Sequence, residues 1–235
     1  MRHLVTLSLA ALAYAMAQPP AVAQEERGVP ILQAPYHLPV FKNEYVTLIN
    51  VTIPPGRNTG YHIHSTDSVS INVGAADTTN QNLGDAAPGP IRHSRRGEPS
   101  FTAYYGKPTR THKASNVGTT PFHNISFLFA SPTPSGFKPG TRAEGSGYKQ
   151  IMDNERVRGW QLTLGPGQSA AAITQQAPGI RVVLDPGEIV ESVPGQPDRG
   201  MNLKNGDFFW QDAGVTRTVR NIGTSKVEYF EFEIK

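Results

Sequence analysis

His62 and His64 stand two residues apart in Gly60-Tyr61-His62-Ile63-His64, and His112 follows in Thr111-His112-Lys113. On a β-strand, residues i and i+2 point to the same face. Two imidazoles on one face, joined by a third from a neighbouring strand, close three sides of a metal site. Imidazole suits zinc, iron, copper and nickel. Three protein ligands leave coordination positions open for substrate and for oxygen or water, as a catalytic metal requires.

Other residues nearby have chemistry to offer. Asp67 is three residues past His64 and is a candidate oxygen ligand. Strand parity puts Ser68, Ser70 and Asn72 on the histidine side and turns Asp67 away, unless the turn after His64 breaks that parity. Two ligand sets follow: His62, His64 and His112 alone, or the same three with Asp67. Tyr104 and Tyr105 precede the His112 strand. By alternation one of them faces inward, where a phenol donates a hydrogen bond to a bound oxygen or a substrate carbonyl. The stretch from Ala75 to Ser100 is polar and rich in Gly and Pro and reads as a long solvated loop, with a lid bringing Arg92 or His93 near substrate as the alternative. His37 and His123 are read as non-ligands. The sequons at Asn50 and Asn124 lie in expected strands and carry no weight. There is no Gly-rich phosphate loop and no Gly-x-Ser-x-Gly elbow, and with no cysteine thiol catalysis is excluded.

The elements that must position these residues read as strands. Val69, Ile71 and Val73 alternate with Ser68, Ser70 and Asn72. Similar runs recur at 45–53, 101–104, 122–129, 156–164, 180–184, 207–210 and 227–234, punctuated by 23 Gly and 20 Pro. No convincing amphipathic helix is present.

The chain also repeats itself. Asn43-Glu44-Tyr45-Val46 opens one unit and Asn154-Glu155-Arg156-Val157 opens a second, 111 residues on. Asn116-Val117-Gly118-Thr119 and Asn221-Ile222-Gly223-Thr224 recur near the close of each, 105 residues apart. Two anchored matches in the same order indicate a duplicated domain. The expected layout is an N-terminal domain over 36–130, a Pro/Gly/Ser-rich linker over 131–147 and a C-terminal domain over 148–235.

Residues 1–23 are set apart as a secretory signal peptide: Arg2, an apolar run from Leu4 to Ala17, then Ala21-Val22-Ala23 as a small-residue cleavage site. The mature chain of roughly 210 residues is then expected in the periplasm or outside the cell. A net charge of +3 is too small to imply nucleic acid. No other stretch is long and apolar enough to cross a bilayer. Expected partners are a small-molecule substrate and, compatibly with the second unit, another copy of the chain in a homodimer. No membrane partner is expected after cleavage.

The residues around the histidines resemble those of the cupin superfamily. Gly56, five residues, then His62-Ile63-His64, with Gly74 ending the run, follow the first cupin motif. His112, three residues and Asn116 follow the close of the second motif. The slot four residues past His64, usually Glu, holds Ser68. The chain is thus similar to three-histidine cupins such as cysteine dioxygenase. The resemblance implies an all-β chain of two cupin-type jelly-roll β-barrels, a bicupin. It also implies one divalent metal on His62, His64 and His112, with iron or manganese favoured and zinc or nickel compatible. The chemistry implied is oxidation by dioxygen, with isomerase or lyase chemistry also compatible. In the second unit the matching positions hold Ile173, Gln175 and Arg217, with Gly179 in the acid slot and Arg181 opposite Ser70. That barrel is expected to be metal-free. It is read as a stabiliser of the first barrel or a dimer interface, with anion binding by Arg181 and Arg217 as the alternative.

Overall fold

A computed structural model describes residues 27–143 and 145–235; the expected leader lies outside them. The described chain is built of strands, with one 3-10 turn at Ile31–Gln33 as its helical element. In the first half, one sheet runs β1 (Val29–Pro30), β4 (His62–His64), β9 (Arg110–Asn116), β6 (Ala76–Asn82) and β7 (Arg92–Ser94). The facing sheet runs β2 (His37–Lys42), β3 (Val46–Ile53), β10 (Phe122–Phe129), β5 (Ser68–Asn72) and β8 (Pro99–Thr102). The second half repeats the plan. One sheet is β11 (Tyr148–Asp153), β12 (Val157–Leu164), β19 (Val227–Ile234), β14 (Gly179–Asp185) and β17 (Phe208–Gln211). The other is β13 (Ile173–Thr174), β18 (Thr216–Asn221), β15 (Gly187–Ser192) and β16 (Arg199–Leu203).

Strand register reproduces the duplication read from the sequence. Phe122 pairs with Ile53 in β10–β3, and Val227 pairs with Leu164 in β19–β12. The repeated residues are those that clamp turns. Asn43 Oδ1 accepts from the backbone N–H groups of Tyr45 and Val46, as Asn154 Oδ1 does from Arg156 and Val157. Asn116 donates to the carbonyls of Ile53 and Thr120 and accepts from Gly118 N–H; Asn221 does the same with Leu164, Ser225 and Gly223. Gly56 and Gly167 hold φ of +71° and +74° in matching turns, a region that costs other residues a steric clash.

The largest apolar cluster lies between the barrels. Leu48, Val69, Ile71, Ile125 and Phe127 of the first half meet Val157, Ile180, Val182, Phe230 and Phe232 of the second. The Phe127 and Phe232 rings are 5.4 Å apart. The alternation in β5 and β10 therefore has an unusual sense: Val69, Ile71, Ile125 and Phe127 face the other barrel, while Ser70, Asn72, Asn124 and Ser126 line the first barrel's cavity.

One alternative for a connection is corrected. The stretch 75–100 is no lid. It supplies β6 and β7 to one sheet and begins β8 of the other, because its Thr and Asn residues pair with β9. The 131–147 segment has no strand among its described residues and is docked on the second barrel. Ser135 donates to the Lys235 carbonyl, Gly140 N–H to Glu233, and the Arg142 side chain lies between the Tyr148 and Trp160 rings, 4.1 Å from each.

Candidate metal centre

The three histidines converge because β4 lies beside β9 in antiparallel register, with His62 opposite His112 and His64 opposite Arg110. All three offer ligand nitrogens within 4.8 Å of one another. The Nε2 atoms of His64 and His112 are 2.9 Å apart. Two nitrogens bonded to one ion at about 2.1 Å, roughly at right angles, would lie about 3 Å apart. The outer nitrogens are already engaged. His112 Nδ1 is 2.9 Å from Asn80 Oδ1, and His62 Nδ1 is 3.2 Å from the Gly60 carbonyl. Such partners fix the tautomer with the Nδ1 proton outward and the Nε2 lone pair inward.

The electrostatics favour neutral imidazoles. Burial lowers the pKa of His62 to about 4, helped by His37; of His64 to about 3, helped by His62; and of His112 to about 2, helped by His62 and His64. Metal binding needs the deprotonated ring, so a cluster that resists protonation is ready for an ion. Donor type, spacing and outer partners all fit a resident divalent metal.

Other expected site residues divide. The Tyr104 ring stacks 5.5 Å from the His64 ring. Tyr105 turns away: its hydroxyl donates to the Phe129 carbonyl at 2.7 Å and its ring packs on the inter-barrel cluster. Asp67 is corrected as a ligand. Its Oδ1 accepts the backbone N–H groups of Tyr104 and Tyr105 at 2.7 and 2.9 Å, and its Oδ2 lies 3.7 Å from Arg156 Nε of the second barrel. Parity holds through the turn, so the carboxylate points to the seam and away from the histidines. Arg92 does line the cavity, whereas His93 faces out and pairs with Asp77 at 2.7 Å.

The sequence reading missed several walls of this cavity of about 270 Å³. His37, set aside as a non-ligand, lines it with its ring 4.6 Å from that of His62. Arg110 adds a positive charge near all three histidines. Asn124 and Ser126, noticed only as a sequon, face inward and are buried. Their polar alternation in an apolar strand was the available signal.

The second barrel fills the matching place with charge. Ile173 pairs with Arg217 in β13–β18, as His62 pairs with His112. Arg217 Nη2 donates to Gln175 and Glu231, both at 3.1 Å, and Arg181 donates to Glu231 and Glu191. Glu231 and Glu191 thus offset the charge of Arg181 and Arg217 within the barrel.

No family model matches the chain, and no curated protein sequence does. Solved structures do. AerE from Microcystis aeruginosa aligns at a TM-score of 0.58 and 11% identity, over 86% of this chain and 98% of that one. A variant of the salicylate 1,2-dioxygenase from Pseudoaminobacter salicylatoxidans, in complex with gentisate, aligns at 0.56 and 15%, over 92% and 76%. The fold is a bicupin. At these identities the likeness carries architecture alone. In this bicupin the first barrel carries the histidine cluster and the second an ion-pair network.

Proposed function

We propose that this bicupin is an exported metal-dependent enzyme of the dioxygenase type, acting on a small polar or carboxylate substrate in its first barrel. The observation that carries the reading is the convergence of three neutral imidazoles, with Nε2 of His64 and His112 at 2.9 Å, inside a cavity that also holds Arg92 and Arg110. A bound divalent ion, iron or manganese in preference to zinc or nickel, would supply Lewis-acid or oxygen-activating chemistry there. The chain's own residues do the rest. Asn80 and the Gly60 carbonyl aim the rings of His112 and His62. Arg92 and Arg110 draw an anionic substrate into the cavity. Tyr104 braces the His64 ring. Export rests on the leader read over 1–23.

A second reading, non-catalytic binding of a metal or small ligand, is supported by the walls themselves. None of the cavity-lining residues is an Asp or Glu, so a carboxylate general base is missing from them. Elemental analysis of the purified mature chain, followed by oxygen uptake across small acids, tests the pair. One metal per chain with turnover supports the enzyme; one metal without turnover on any acid supports the binding protein; no metal rejects the enzyme and leaves small-ligand binding as the reading.

A further inference from the structure

The inner wall opposite the histidines carries a chain of side-chain hydrogen bonds with a fixed direction. Ser126 Oγ donates its single proton to Asn124 Oδ1 at 2.5 Å. The contact of 2.7 Å between Ser70 Oγ and Ser126 Oγ must then have Ser70 as donor. Asn124 Nδ2 donates to Asn72 Oδ1 at 3.0 Å. Every hydrogen bond along the line Ser70, Ser126, Asn124, Asn72 runs in one sense. Two ends remain open towards the cavity. Ser70 Oγ has lone pairs and no proton to give, and Asn72 Nδ2 has two N–H groups without a partner among the described residues. Chains of this kind polarise, so the terminal acceptor and the terminal donor are each strengthened.

A hydroxyl is the group that can both donate to Ser70 and accept from Asn72. An apolar or aromatic face laid on this wall would strip water from both ends and return nothing. Arg92 and Arg110 line the cavity from opposite ends of β6: Arg92 stands beside Thr78, its side chain without a hydrogen-bond or ion-pair partner among the described residues, and Arg110 spends only Nε, on Asn82 Oδ1 at 3.0 Å. Both guanidinium groups can take a carboxylate. A volume of about 270 Å³ admits a short molecule only.

We propose that the first barrel selects a short polyhydroxylated carboxylic acid, its carboxylate held by Arg92 and its hydroxyls read by Ser70 and Asn72. The inference rests on the substrate-pocket reading above but not on the metal, because none of these three residues is among the histidine ligands.

The test is calorimetric titration of the mature chain, with and without added iron, using gluconate, hexanoate and benzoate as probes. Gluconate should bind at least about tenfold tighter than hexanoate, which has the same length without hydroxyls. Asn72→Asp, which replaces the donors with acceptors, and Ser70→Ala should each remove that ratio, and Ser70→Thr should retain it. Equal or tighter binding of hexanoate or benzoate, a ratio that survives in Asn72→Asp and Ser70→Ala, or no binding of any probe overturns the proposal. Metal content on the same samples keeps the two readings apart. A chain that takes up no metal defeats the metal-enzyme reading, while the hydroxyl preference is still decided by the metal-free titration.

Discussion

Arg156 reaches across from the second barrel to within 3.7 Å of Asp67 in the first, so the two halves share a buried ion pair. Asp67 holds the turn that presents Tyr104 to His64, and Arg156 donates to the carbonyls of Ser131 and Pro132. One acidic residue thus links the site turn, the connecting segment and the second barrel.

Asp67→Ala should leave metal content at the wild-type level and lower stability by about 3 kcal/mol, because it strands a buried guanidinium and two backbone donors. Elemental analysis and denaturant midpoints on the same sample check this. Loss of metal at unchanged stability would return Asp67 to the ligands.

His62→Ala and His112→Ala should each abolish stoichiometric metal binding. Asn80→Ala acts one step removed, by releasing the His112 ring, and should weaken metal affinity by about 10- to 100-fold without changing the stoichiometry at saturation. Competition against a fluorescent chelator separates the two outcomes.

The ion-pair network of the second barrel makes its stability acid-sensitive. Burial alone would raise the pKa of Glu231, but Arg217, Arg142 and Arg181 outweigh it and hold the carboxyl well below the usual range. Because the folded pKa lies below the unfolded one, Glu231 contributes fully above about pH 4.3, and that contribution is lost as pH falls towards the folded value. Glu231→Gln should cost about 3–5 kcal/mol near neutrality and flatten this acid limb. Urea midpoints from pH 7 to pH 3 would show it; parallel profiles for the two proteins would refute it.

Phe127 is fully buried between the barrels. Phe127→Ala should cost about 3–5 kcal/mol. Since the cluster belongs to both halves, wild-type should unfold in one transition by tryptophan fluorescence, whose two reporters Trp160 and Trp210 lie in the second barrel, and by metal release from the first. Separate midpoints would contradict a shared core.

The duplication, the strands and the histidine cluster were legible because each rests on local spacing. Residues i and i+2 share a strand face, and repeated Asn residues clamp repeated turns. The fate of Asp67 was half legible: parity turned it away, but its partners Arg156 and the Tyr104 turn come from distant segments. The lid over 75–100 misread polar strands. Thr78, Thr79 and Asn80 lack the apolar alternation of an ordinary sheet because one of their faces lines a cavity. The pairing of Arg181 and Arg217 with Glu231 was illegible, since it needs three strands brought together.

Burying Val69, Ile71, Ile125 and Phe127 against a neighbour has a consequence for how this protein can change. The hydrophobic effect that holds β5 and β10 in place acts on their outer side, so their inner positions are released from anchoring the fold. Exchanges at those inner sites can retune what the pocket admits at little cost to folding, while the second half serves as ballast that makes such drift tolerable.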